Sequence, residues 1–242
     1  MFGFFRRRDP VAIRRDYYRT APLWLPPRPS QRQFRFAIEQ GERTIFLKIR
    51  DRVKDDATLR RWLVRYAPLH AYFTTSTWLD PQNLGPRKLR GPGYRKAYNV
   101  YLTSELYFDI DLPGQFRQAR REAAGVVSHL GNRWGFRDLG IVYSGSKGFH
   151  IHVRDFDLKR FGEVPLDPQE REAAAQEAKR KIVEDVLNQG FAIDVDTSLD
   201  TRRIIRLPGT IHGATGNLCE FVPMEHLGRF RPHRLYRARS AS

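Results

Sequence analysis

Residues 107–112 read Tyr-Phe-Asp-Ile-Asp-Leu, and this alternation leaves the chain little choice. A period of two is that of a β-strand, with Phe108, Ile110 and Leu112 on one face and Tyr107, Asp109 and Asp111 on the other. The first face requires a core. On the second, two like charges repel unless a cation stands beside them. Hard Mg²⁺ or Mn²⁺ suits carboxylate oxygens and keeps positions open for water and phosphate oxygens. Acidic pairs also occur on plain solvated strands, so Asp-x-Asp alone leaves both readings open.

The sequence around this strand alternates between the two regular periods. Phe34, Phe36 and Ile38, then Ile45, Leu47 and Ile49, predict a hairpin turned through Gly41. Leu59, Trp62, Leu63 and Tyr66 recur at helical spacing after Asp55 and Asp56, and Pro68 stops them. A strand is expected near 71–75. Phe116, Ala119, Ala123, Val127, Leu130 and Trp134 advance along one helical face. Strands follow at about 139–144 and 148–154. Asp167, Pro168 and Glu170 announce a second long helix that Gly190 closes. Further strands are expected around Ala192, Ile204 and Phe221. This order predicts an α/β (α+β) fold, a palm-like layer of helices on a sheet, built as one domain over 1–242. Its 40% hydrophobic content suffices for one core or a core with a small lobe. Residues 1–30, with Pro22, Pro26, Pro27 and Pro29, read as an extended arm. The glycine-, proline- and cation-rich stretch 84–97 reads as a flexible loop able to grip a phosphate backbone, and 226–242 as a basic tail.

Two further segments carry chemistry. In 143–153, Phe149, Ile151 and Val153 face the core, while His150 and His152 share the opposite face. Ser144, Gly145, Ser146, Lys147 and Gly148 form a tight turn whose N–H groups, hydroxyls and ammonium can surround a triphosphate. An ordinary hairpin turn has the same composition. Residues 194–216 supply a further carboxylate, then cations, then His212 in a glycine-rich turn. Each element alone is ambiguous, but together they form a set suited to phosphoryl transfer.

The formal charge is +16, and 35 of the 43 cationic residues are Arg. Guanidinium forks bind phosphate in a bidentate way, so a polyanion, best a nucleic acid, is the expected partner. The cations cluster at 6–8, 87–96, 117–121 and 229–239. Cys219 is the only cysteine, which excludes an intrachain disulfide and a multi-cysteine zinc site. No apolar run approaches the roughly 20 residues that span a bilayer, and 1–8 lacks the order of a secretory signal. The expected setting is cytoplasmic, close to the nucleoid, with no membrane partner.

Phe-Asp-Ile-Asp at 108–111, Ser-Gly-Ser-Lys-Gly-Phe-His-Ile-His-Val at 144–153 and Arg-Leu-Pro-Gly-Thr-Ile-His-Gly-Ala-Thr-Gly at 206–216 resemble, in order, the three motifs of the archaeo-eukaryotic primase superfamily. The third is the most specific, and its form is similar to primase small subunits rather than to the polymerase domains of bacterial end-joining ligases. Tyr17-Tyr18 and Arg32-Gln33-Phe34-Arg35-Phe36 resemble N-terminal segments of that family more loosely.

The resemblance implies a primase-type fold of mixed sheets flanked by helices with an RRM-like catalytic core. It implies two Mg²⁺ or Mn²⁺ ions held by Asp109, Asp111 and Asp194, with Asp196 and Asp200 as fallback ligands. Ser144, Gly145, Ser146, Lys147, Gly148, His150, Arg206 and His212 match the nucleotide-binding wall, and Lys48 matches a further cation. The cations and histidines would neutralise charge on the triphosphate. The implied partners are a single-stranded DNA template, nucleoside triphosphates and a primase large subunit. The chain departs from the pattern at Gln33, usually Glu, and at Ser146, often basic. The stretch between His152 and Asp194 lacks the common zinc-binding insertion.

Two rival readings stand beside this one. His150-Ile151-His152 matches the metal motif of rolling-circle nicking endonucleases, with Tyr17 or Tyr18 as nucleophile, and a catalytically silent nucleic-acid-binding module would keep the charge.

Overall fold

The computed structural model describes residues 9–84 and 99–237. Most of the expected basic loop 84–97, the cluster at 6–8 and the end of the tail lie outside them. The chain builds two four-stranded sheets and a two-stranded ribbon, and every pairing between named strands is antiparallel.

The first sheet has the order β2-β1-β3-β9, with β1 Phe34–Gln40, β2 Arg43–Lys48, β3 His70–Thr74 and β9 Ile204–Arg206. The expected hairpin is present, and Gly41 turns it at φ +60°. Phe34, Phe36, Ala71, Phe73 and Ile205 bury one face of this sheet in a core with Leu59 and Leu63. Those leucines come from α2, Asp56–Tyr66, whose N-cap Asp55 accepts from the Thr58 N–H.

The second sheet has the order β10-β7-β8-β6, with β6 Leu106–Asp111, β7 Leu139–Tyr143, β8 Gly148–Val153 and β10 Glu220–Phe221. Strand β8 lies between β6 and β7 and is antiparallel to both. The connection β6–α3–β7 is therefore a split crossover, with α3 at Phe116–Trp134. Phe108, Ile110, Phe149 and Ile151 form the core with Ala119, Ala123 and Leu130 of α3 and Ile182 and Val186 of α4, Pro168–Asn188. The Asp167 cap accepts from the N–H groups of Gln169 and Glu170. The ribbon joins β4 Ser76–Trp78 to β5 Tyr101–Ser104, neither anticipated.

Three expectations fail. The first 30 residues are not an extended arm, because Pro10–Thr20 form α1, which buries Arg14 and Tyr18. Asp9 caps it and Pro10 occupies its first turn, where a missing N–H costs nothing. No strand forms around Ala192. A single backbone bond from the Asp194 N–H to the Asp109 carbonyl, 2.8 Å, lies along β6 there, and a short helix α5, Val195–Leu199, follows at once. The C-terminal stretch is no free tail up to residue 237. After a one-turn helix α6, Met224–Leu227, the Leu218 N–H donates to the His233 carbonyl and the Leu235 N–H to the Gly216 carbonyl.

Candidate active site

The two carboxylates expected on one strand face open into a cleft of about 470 Å³. Asp109 stands opposite His150 in the β6–β8 register, and Asp111 opposite Gly148. His150 Nε2 is 3.7 Å from Asp109 Oδ1, and Lys147 Nζ is 3.8 Å from Asp111 Oδ2. Ser144, Ser146 and Lys147 reach the cleft from the β7–β8 turn, and Arg206 and His212 from the third motif. Gly145 and Gly148 do not line it. They shape it: a Cβ at Gly148 would stand 1.7 Å from the Ile110 carbonyl oxygen, so only glycine lets β8 approach β6 there.

Burial pushes Asp109 up to about 6, and the charges of Asp111 and Asp194 add to the effect. Asp194 is therefore within electrostatic reach of Asp109. Its Oδ2 is held by Arg203 Nη2 at 2.8 Å and by the Thr197 hydroxyl at 2.9 Å. Among the described residues no three His, Cys, Asp or Glu side chains are close enough together to form a ready metal site. The donor set nevertheless suits a hard divalent cation, being two carboxylates on one face, with the raised pKa of Asp109 a strain that a positive charge would relieve.

The histidines do not add charge. Burial and the nearby Arg206 guanidinium hold His150 at about 3 and His212 at about 4, so both are neutral around pH 7 and would act on a phosphate as hydrogen-bond donors. The positive charge comes from Lys147 and from Arg35, Arg202, Arg203 and Arg206, all in the lining. Sequence reasoning missed Arg35, Arg202 and Arg203 as site residues. Arg35 alternates with Phe34 and Phe36, which buries its neighbours and turns it outward; that signal was available. Its Nε donates to Gln33 Oε1 at 2.5 Å, while Gln33 Nε2 holds the Pro81 carbonyl. Lys48 does not reach the cleft and donates to the Leu84 carbonyl.

The tyrosines of the nicking reading are structural. The Tyr18 hydroxyl is buried and accepts from the Ile211 N–H, and the Tyr17 hydroxyl donates to the Gly209 carbonyl. Both rings tie α1 to the third motif.

A model of the DNA primase small subunit matches residues 108–223, just under half of the chain, and spans all three motifs. The chain is similar to DNA primase small subunits over most of its length. It is 25% identical to the small subunit PriS of Thermoplasma acidophilum over 92% of this chain and 82% of that protein. To PriS of Archaeoglobus fulgidus it is 23% identical over 90% of this chain and 80% of that protein. With PriS of Halorubrum lacusprofundi it shares 27% identity over 80% of this chain but spans only 49% of that protein. The fold brings Asp109, Lys147, His150, Arg206 and His212 around one cleft, although they come from three separate stretches of sequence.

Proposed function

We propose that this chain is the catalytic part of a primase, joining nucleoside triphosphates into short primers on a single-stranded DNA template. The observation that carries the reading is the cleft itself, in which paired strand carboxylates face a wall of phosphate-binding cations. Asp109, Asp111 and Asp194 would hold two divalent ions once Asp194 leaves Arg203. When bound, Mg²⁺ or Mn²⁺ supplies charge compensation for the attacking hydroxyl and the leaving pyrophosphate. Arg206 and Lys147 bind and orient the triphosphate, and the neutral imidazoles of His150 and His212 donate hydrogen bonds to its oxygens. His150 also packs beside Asp109 and keeps water from that side of the carboxylate. The cationic surface holds the template by its backbone, largely without regard to sequence, so base pairing selects the nucleotide. A primase large subunit is the partner expected from the relatives. In a soluble replication role the chain needs no membrane, and no described helix is long and apolar enough to cross one.

The test is incorporation of labelled nucleotides on single-stranded DNA with Mg²⁺ or Mn²⁺, beside Asp109→Ala and Asp111→Ala. Metal-dependent polymer that both substitutions abolish is expected. No incorporation with either metal, with or without a supplied primer and a large subunit, overturns the proposal.

A further inference from the structure

The outward face of the first sheet has a use that the carboxylates and cations do not explain. Strand register fixes which residues share that face. Tyr72 on β3 stands directly opposite Arg35 on β1 and Arg206 on β9. Phe46 on β2 stands opposite Ala37, two residues from Arg35 and so on the same face. Arg206, Tyr72 and Arg35 therefore form one row across the sheet, with Phe46 diagonal to its end on the same face, and all four line the cleft.

Phe46 is 62% exposed, and it is the only aromatic among the large hydrophobic side chains exposed in the described residues. It belongs to none of the buried core clusters, so core packing does not account for it. Its ring centroid is 6.0 Å from that of Tyr72 at 33°, and the Arg206 guanidinium lies 5.1 Å from the Tyr72 centroid on the other side. The row thus runs from a phosphate-binding cation at β9, through an aromatic ring that the cation covers, to an open ring at β2. With the guanidinium 5.1 Å and the Phe46 ring 6.0 Å from the Tyr72 centroid, its two ends are at most about 11 Å apart. That ordering, cation at one end and bare π-face at the other, matches a nucleotide laid across the sheet with its phosphates at Arg206.

We infer that Phe46 is the stacking platform for the base of the incoming nucleoside triphosphate, with Tyr72 as the rim beside it. This rests on the nucleotidyl-transfer reading and names the residue that grips the base. Stacking is sequence-tolerant because every base has a π-face, yet it grows with ring area, so purine triphosphates gain more than pyrimidine ones. Phe46 belongs to no core cluster, so replacing it should leave the fold intact.

The experiment is calorimetric titration of the full chain, with Mg²⁺ present, by ATP, CTP and inorganic tripolyphosphate, for wild type, Phe46→Ala and Phe46→Trp. Phe46→Ala should weaken ATP binding about tenfold, CTP less, and tripolyphosphate not at all. Phe46→Trp should restore ATP affinity, and its added indole fluorescence should be quenched by ATP but not by tripolyphosphate. Equal ATP affinity in wild type and Phe46→Ala overturns the stacking role while leaving the nucleotidyl-transfer reading in place. Wild type that binds neither ATP nor tripolyphosphate overturns both. If ATP binding is unchanged but Phe46→Ala loses affinity for single-stranded DNA and not for its abasic counterpart, the ring stacks a template base instead, and the inference as stated falls.

Discussion

The backbone of Gly145 lies against the side chain of His212, so closely that a Cβ built on the glycine would stand 2.6 Å from the histidine Cβ. The glycine has φ +86°, and its carbonyl accepts from the Thr215 hydroxyl at 2.6 Å, which also contacts His212 Nδ1 at 3.1 Å. The second and third motifs are thus clasped together. Gly145→Ala should cost about 1–3 kcal/mol through strain at a left-handed position and displace Ser144, Ser146 and Lys147 from the phosphate wall. Nucleotide incorporation should fall about 100-fold while circular dichroism shows a folded protein. A fully active Gly145→Ala would show that the clasp has no part in placing the wall.

Asp109 is held ionised at neutral pH against burial and two like charges, which is a cost to the fold. Asp109→Asn removes it. Thermal unfolding at pH 7.5 without divalent ions should move upward, while incorporation is lost, the opposite signs expected where a site is built at the expense of stability. A lower melting temperature for the variant would contradict the electrostatic account.

Gln33 replaces the Glu that the family pattern favours, and it is buried with its amide oxygen on Arg35. Gln33→Glu would set a full charge beside that guanidinium and face the Pro81 carbonyl with an acceptor in place of a donor. Arg35 should then be drawn from the cleft, weakening triphosphate binding several-fold, and the loss of the Pro81 bond should cost about 1–3 kcal/mol. Titration with tripolyphosphate and thermal unfolding measure the two effects separately.

His152 is buried among Trp24, Phe73, Tyr107 and Phe221, and burial holds it neutral far below the usual imidazole range. Above about pH 6.5 neither the folded nor the unfolded chain protonates it, and it has no effect on the pH dependence of stability. As pH falls below 6.5 the unfolded chain takes up a proton that the folded chain refuses, so stability is lost toward acid. His152→Phe should remove about one proton from the uptake that accompanies unfolding at pH 5. Calorimetry in buffers of different ionisation enthalpy reads that number directly.

Much of the fold was legible because short-range rules settled it. The alternation of Phe34–Ile49 and Tyr107–Leu112, the helical spacing of Phe116–Trp134 and the Asp167-Pro168 cap each fix one element through its own neighbours in sequence. The Asp9-Pro10 cap of α1 was equally local, but the prolines at 22–29 masked it. The site residues were legible as types. That Asp109 and Asp111 share a face, that Lys147 sits in a turn and that Arg206 precedes a glycine-rich stretch all follow from the order of residues.

Only the tertiary structure decided the rest, because it depends on groups distant in sequence. Strand order brings β9 beside β3 and so sets Arg206, Tyr72 and Arg35 in one row, which no periodicity within a single strand encodes. Burial made His150 and His212 neutral donors where the sequence suggested charge. A 2.8 Å contact placed Asp194 on Arg203. Periodicity determines what each segment is and which way its side chains turn. Desolvation and through-space charge, which set what those side chains can do, arise only when the sheets come together.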